Sequence, residues 1–381
     1  MFGSGHVPFG ERGGRARGAL DLLAGHYPAF TIGGGVGRLL PVFHFHETEA
    51  ATLEPKLQHL AENGYKTVTS REITAFVLDG TPPPDRSVAL AFDDAWSSVW
   101  TVAGPLLRKY AMRAIVYAIP GRIGDTPGVR PTIEDAPTDN KQFDPAAFDS
   151  ADNPFVTWSE LRRLHDAGTF DVQSHTQTHS MIFAGPEIVD FVAPSFRRES
   201  LLNRPRVDRN GTPRYLDPGA LGSPLYPRRS CMSDALRFFP DEGTGARTAA
   251  HVAAHGGERF FDRSGWRTEL RRIAGAVRGS SQDAGARDRT IEGELRGARE
   301  DLETRLPGHH VDHICLPWGV AGDATRAALE RCGYRTAFAN RFRGRFAVAA
   351  GDDPFALKRL SNRFIFALPG RGRRYVFLPA R

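Results

Sequence analysis

Apolar residues recur along this chain in two alternating rhythms. Short unbroken runs at Leu39–Phe45, Val88–Phe92, Ala114–Tyr117, Phe170–Gln173, Val311–Leu316 and Thr336–Ala339 read as strands buried on both faces, and Thr67-Val68 adds a briefer one. Between them, Leu53–Glu62, Ser70–Leu78, Trp100–Tyr110, Trp158–Ala167, Ile291–Leu306 and Ala324–Cys332 place apolar side chains at helical spacing. Asn63-Gly64 stops the first of these helices. Weaker strand-like runs close the chain near Phe355–Leu360 and Arg374–Leu378. Strand alternating with helix predicts an α/β fold: a distorted, partly open (β/α) barrel of about seven parallel strands.

The rhythm breaks in three places. Residues 1–38 read as an N-terminal extension ending in the cluster Gly33-Gly34-Gly35-Val36-Gly37. That cluster lacks the third glycine of a dinucleotide fingerprint and follows no strand, so it reads as a flexible lead-in. Residues 124–154, rich in Pro, Asp and Thr, read as an excursion from the core. From Met181 to Arg287 the periodicity dissolves into Pro, Gly and Arg, which predicts a long insertion within one domain spanning 39–381. Loops on a rigid scaffold carry specificity, so substrate choice is expected in that insertion. Within it Tyr226 and Arg228 are candidate substrate-binding residues, with Arg228-Arg229 as a clamp for a phosphate or uronate.

Composition narrows the class. The chain has 381 residues, 40% of them hydrophobic, enough for a sizeable core. No apolar stretch approaches the roughly 18 residues of a membrane span, and Met1–Arg17 has no apolar segment of a secretory signal. Three widely spaced cysteines (Cys231, Cys315, Cys332) do not make a disulfide framework. A cytoplasmic protein is expected. The net charge of +6 is almost all arginine, with lysine only at positions 56, 66, 109, 141 and 358. This fits either a solvated, arginine-biased surface or attraction for an anionic substrate. Acidic residues are interspersed and no nucleic-acid-binding signature is present, so no nucleic-acid partner is expected. Oligomeric state is not legible.

Three polar signals fall directly after strands, at the ends that build active sites in parallel barrels. They are Asp93-Asp94, the run Ser174-His175-Thr176-Gln177-Thr178-His179, and Pro317-Trp318-Gly319. Two imidazoles and a carboxylate form a facial ligand set for a divalent ion, and a second carboxylate beside it can act as general base. Consecutive residues leaving a strand point in different directions, so one aspartate can face a metal and the other a water.

These segments resemble the polysaccharide deacetylase family, which includes the nodulation-type chitooligosaccharide deacetylases. Leu90-Ala91-Phe92-Asp93-Asp94 is similar to the family's first motif, Thr-Phe-Asp-Asp. His175-Thr176-Gln177-Thr178-His179 matches its second, His-[Ser/Thr]-x-x-His, and Cys315-Leu316-Pro317-Trp318-Gly319 resembles its third, Arg-x-Pro-Tyr-Gly. Phe43-His44-Phe45-His46 is similar to the aromatic-His of the first strand. The resemblance covers about residues 39–180 and 288–340. It implies Asp93 as base, and Asp94, His175 and His179 as ligands of a divalent metal, Zn²⁺ first and Co²⁺ or Ni²⁺ as alternatives. It also implies Pro317 and Trp318 as pocket walls. The implied reaction is N-deacetylation of an amino-sugar substrate by metal-activated water.

Two departures stand out. Cys315 occupies the place of the arginine that orients the base, and reads as a small buried hydrophobe. The family's C-terminal Leu-x-x-His is missing, since no histidine follows His313. Leu23–His26 and Leu306–His309 spell that tetrapeptide elsewhere. His46 is then the first choice as proton donor, because it leaves the first strand on the same side of the barrel, with His313, His251 and His255 as weaker candidates. Hydrolysis of another amide, such as a cyclic imide or formamide, and carbohydrate binding without catalysis stay open as alternatives.

Overall fold

The computed structural model describes residues 21, 23–135, 154–209, 211–339 and 345–375. Most of the N-terminal extension, the middle of the 124–154 excursion and most of the run expected at Arg374–Leu378 lie outside the described residues. The described chain falls into two compact units, 21–178 with 293–321 and 326–375, and 179–292 with 322–325.

The larger unit is built on one all-parallel sheet. Its strands in chain order are β1 (Val42–Phe45), β2 (Lys66–Val68), β3 (Ser87–Asp94), β4 (Ala114–Ala118), β5 (Phe170–Ser174), β6 (His313–Cys315), β7 (Thr336–Phe338) and β8 (Leu360–Ser361). Seven of them follow the spatial order β7-β6-β5-β4-β3-β1-β8, and β2 pairs with the start of β3. The sheet curls into a partial barrel. A single bridge, Phe338 to Leu357, joins β7 to the residues just ahead of β8, with Leu357 N donating to Ala337 O and Ala339 N to Leu357 O, both at 3.1 Å. The expected partly open barrel of about seven parallel strands is what the chain forms, with seven strands along the curled path and β2 beside β3.

The apolar runs work as the pattern requires. Every residue of β3 and β4 is buried, because helices cover one face and the barrel interior the other. Val42, Ala89, Ala91, Ile115, Tyr117, Cys315, Phe338 and Leu357 pack into one cluster. The alternate positions form a second layer, in which Phe45 stacks on Phe92 at 4.8 Å and Phe92 meets Phe170 edge-on at 5.5 Å. Asp93 shares the alternation of Ala89 and Ala91, so it belongs to the interior set.

Helices α1 (Ala50–Glu62) and α2 (Ser70–Asp79) follow β1 and β2. Thr69 and Glu72 cap α2 reciprocally, with Thr69 N and Oγ1 both donating to Glu72 Oε2 at 2.9 and 2.6 Å. The helix expected over Trp100–Tyr110 is instead a widened turn, Val99–Ala103, leading into α3 (Gly104–Lys109). Pro105 has no N–H to donate back to residue 101, so a regular ladder cannot run through. Helix α4 (Trp158–Asp166) starts on a second capping box, Thr157 with Glu160. Part of the expected lead-in is packed rather than flexible: Phe30 is fully buried and meets Phe43 edge-on at 6.5 Å.

The smaller unit holds helices Glu242–Ala254 and Trp266–Ala274 and three short antiparallel strand pairs. It buries its own cluster, including Phe191, Val252, Phe260, Trp266 and Leu270.

Candidate metal centre and active site

Asp93 and Asp94 end β3, where Asp93 pairs with Tyr117 and Asp94 with Ala118 of β4. Asp94 adopts a left-handed backbone (φ 70°), as does Ala95 (φ 55°). Such values are uncommon for residues with a side chain, and here they end the strand's alternation between the two aspartates. Thr176 (φ 66°), His179 (φ 51°) and Trp318 (φ 55°) repeat the device in the other two motifs. Local strain thus gathers at the three strand ends that sequence marked.

Asp94, His175 and His179 are all buried, and one ligand atom from each lies within 4.8 Å of the others. His179 is one peptide bond beyond Thr178, in the short loop that begins at His175. His175 Nδ1 donates to the Cys315 carbonyl at 2.5 Å, which leaves Nε2 facing Asp94 Oδ1 at 3.2 Å. In neutral imidazole that places a lone pair against a carboxylate oxygen, a contact that either a proton on Nε2 or a cation held between the two satisfies. Burial opposes a charged imidazole here, yet Cys315 and Asp94 raise the proton affinity of His175 well above its ordinary value. The other oxygen of Asp94 accepts from the Trp96 indole at 2.9 Å, fixing the carboxylate's rotation. Two imidazoles and a carboxylate, with His175 and Asp94 each held by an outer partner, form a group that could hold a divalent cation.

The histidine loop is held from below. Thr178 N and Oγ1 donate to the buried carboxylate of Glu294 at 2.8 and 2.5 Å, and Gln177 N donates to Glu294 O at 3.0 Å. Gly121 N donates to Gln177 O at 2.9 Å, and a Cβ on Gly121 would stand 2.6 Å from that oxygen, so only glycine fits. The Tyr334 hydroxyl donates to Ser174 Oγ at 2.8 Å at the end of β5.

The residue that reasoning from sequence missed is Arg359. Its guanidinium grips Asp93 with both arms, Nη1 to Oδ1 at 2.6 Å and Nη2 to Oδ2 at 2.8 Å. Burial would push the Asp93 carboxyl up, but the Arg359 charge and its two hydrogen bonds hold it well below the usual carboxylate range. Arg359 also lies over the rings of Tyr117 and Phe338, at 5.7 and 5.2 Å. Cys315 is buried as expected, and the arginine absent from its position is supplied from the opposite end of the strand order. The available signal was alternation: Arg359 stands two residues beyond Leu357, which packs in the interior cluster.

His46 Nε2 lies 3.7 Å from Asp93 Oδ2, and its side chain is 56% exposed, at the open end of the site. His44, His46 and Asp93 also bring ligand atoms within 4.8 Å of one another. Pro317 is buried and Trp318 half-buried, in a single tight turn directly after β6. Of the weaker donor candidates, His313 is fully buried inside the barrel against Tyr117 and Thr336. His251 in the smaller unit pairs with Glu269 at 2.6 Å and stacks on His255. Tyr226 and Arg228 are buried within the smaller unit rather than displayed on a loop. Tyr226 packs between Phe183 and Phe238, and Arg228 Nη1 donates to the Asn203 carbonyl at 2.9 Å and meets Glu199 at 3.4 Å. The expected clamp is therefore already engaged as a packing element, because a guanidinium that deep needs internal partners.

Residues 80–195 match the family model of polysaccharide deacetylase. The Bacillus subtilis (strain 168) protein YxkH, which carries a polysaccharide deacetylase name, is 28% identical over 93 residues, 22% of this chain and 33% of that protein. The poly-beta-1,6-N-acetyl-D-glucosamine N-deacetylase of Escherichia coli (strain K12) is 26% identical over 132 residues, 35% of this chain and 18% of that protein. The chain thus spans a third or less of these curated relatives. The deacetylase domain of BpsB from Bordetella bronchiseptica has the same fold, with a TM-score of 0.50 at 14% identity, covering 86% of this chain and 97% of that one. The stretch that begins before β3 and carries the first two motifs is thus similar to the polysaccharide deacetylase family.

Proposed function

We propose that this protein is a metal-dependent hydrolase that removes the N-acetyl group from an amino-sugar substrate. The observation that carries the reading is the convergence of Asp94, His175 and His179 within 4.8 Å beside a second carboxylate fixed by arginine. A divalent ion held by those three side chains would acidify water and polarise the acetamide carbonyl.

The chain's own groups supply the remainder. Asp93 accepts the proton of the attacking water, and Arg359 keeps it ionised and correctly rotated for that task. Each Asp93 oxygen spends one lone pair on Arg359 and retains another. His46, exposed and beside Asp93, donates the proton the departing amine requires. Trp318 and Pro317 wall the acetyl and sugar pocket. Water and the amide thus become acetate and a free amine, with one proton taken by Asp93 and one given by His46. Three free, buried cysteines suit a reducing compartment such as the cytoplasm as the setting.

The test is acetate release from N-acetylglucosamine oligosaccharides, measured before and after chelation and on return of Zn²⁺, Co²⁺ or Ni²⁺. Asp93→Asn is expected to lower turnover by about a hundredfold or more with bound metal retained. Full activity in chelator-treated protein would overturn the reading.

A further inference from the structure

The smaller unit contains a second concave site that the deacetylase reading does not use. It is a cleft of about 620 Å³ lined by Arg206, Arg209, Arg214 and Arg237 around Phe239 and Asp208. That volume suits a small-molecule ligand. Asp208 is buried and already engaged: Arg206 Nε donates to both its oxygens at 2.8 and 3.0 Å, and Arg214 N to Oδ1 at 2.9 Å. Arg237 is only 7% exposed, yet its Nη2 donates to backbone carbonyls, those of Arg206 at 2.9 Å and Asp208 at 2.5 Å. Its guanidinium lies 4.8 Å from the centre of the Phe239 ring, and that of Arg209 lies 5.7 Å from the same ring.

Among the described residues, no carboxylate stands within ion-pair distance of Arg209, Arg214 or Arg237. Of the remaining acids that line the cleft, Asp241 caps the helix that follows it, accepting from Thr244 N at 2.8 Å and from Arg278 N at 3.1 Å. Glu242 alone is open, at the rim. Asp208 offsets the charge of Arg206 and part of that of the neighbouring Arg237, whereas Arg209 and Arg214 add further positive charge at the same cleft, which an incoming anion would offset. Their planar forks match phosphate and carboxylate oxygens.

We infer that this cleft binds a phosphate- or carboxylate-bearing small molecule. The site is distinct from the metal centre, and its test does not depend on catalysis. The full chain, treated with chelator so that bound metal cannot hold the ligand, is titrated calorimetrically with inorganic phosphate, glucose 6-phosphate, glucuronate and neutral glucose. Saturable binding of an anion without binding of glucose is the expected result. A stronger response to glucose 6-phosphate assigns a phosphate, and one to glucuronate a carboxylate. The double variant Arg209→Ala/Arg214→Ala removes two exposed side chains and is expected to fold with an unchanged Tm and bind about tenfold more weakly. Asp93→Asn is expected to bind as the parent does, which separates this inference from the hydrolase reading. No anion binding up to about 10 mM, or equal binding by the double variant, would overturn it.

Discussion

At the level of single residues, the pairing of Arg359 with Asp93 is the contact on which the proposed chemistry rests. Asp93 is buried and Arg359 largely so, and the pairing is bidentate, so losing the arginine leaves an uncompensated charge in the barrel. Arg359→Met is expected to cost about 3–5 kcal/mol of stability, read as a lower Tm, and to reduce kcat/KM. With the arginine gone, burial dominates and the Asp93 pKa rises, so the acid limb of kcat/KM should move to higher pH. In the parent the folded-state pKa is depressed, so the pair's stabilisation is complete at neutral pH and is lost only as pH falls below the ordinary aspartate value of about 3.9. Arg359→Lys, which keeps the charge but not the fork, should recover part of the stability and less of the rate. An acid limb unmoved in Arg359→Met would show that Asp93 is not the titrating base.

At the level of elements, three strand ends and one loop make the site. The loop from His175 to His179 is fixed by Glu294 and by the Gly121 contact, neither of which belongs to the ligand set. Gly121→Ala would drive a methyl group into Gln177 O, and the relief is a shift of the histidine loop. The expected outcome is about tenfold weaker metal binding in a chelator competition, with the Asp93–Arg359 pair intact. Glu294→Gln keeps the shape and one acceptor but removes the charge, and should weaken metal binding less than Gly121→Ala. Equal metal affinity in parent and Gly121→Ala would place loop positioning elsewhere. At this scale the sequence was informative about order and motif position. It was blind to the widened turn before α3 and to Glu294, which lies far along the chain in a helix of ordinary composition.

On the scale of the whole molecule, burial of titratable groups couples the barrel to pH. His313 is fully buried among Tyr117, Phe338 and Thr336, and burial lowers its pKa to about 3. The folded state keeps it neutral while the unfolded chain takes up a proton below about pH 6.5, so stability is complete above that value and declines as pH falls toward 3. The loss should approach about 1.4 kcal/mol per pH unit across that window. His313→Gln is expected to be less stable at pH 7.5 but to lose less Tm between pH 7 and 5 than the parent does. Parallel Tm-versus-pH curves for the two proteins would exclude His313 as the source. No described helix is long and apolar enough to cross a membrane.

The sequence by itself determined a parallel α/β sheet, since unbroken apolar runs spaced by helical ones require cover on both faces. It also located Asp93, Asp94, His175 and His179, because strand ends and motif spacing are local properties of the chain. Tertiary structure alone decided that Arg359 replaces the arginine absent at Cys315, and that Arg228 is a packing residue. It also decided that the exposed Arg209 and Arg214 line one cleft of the smaller unit with the buried Arg237. Those facts depend on which distant segments meet and which charges find partners. Pairing across more than 200 residues leaves no periodic trace in the string of letters.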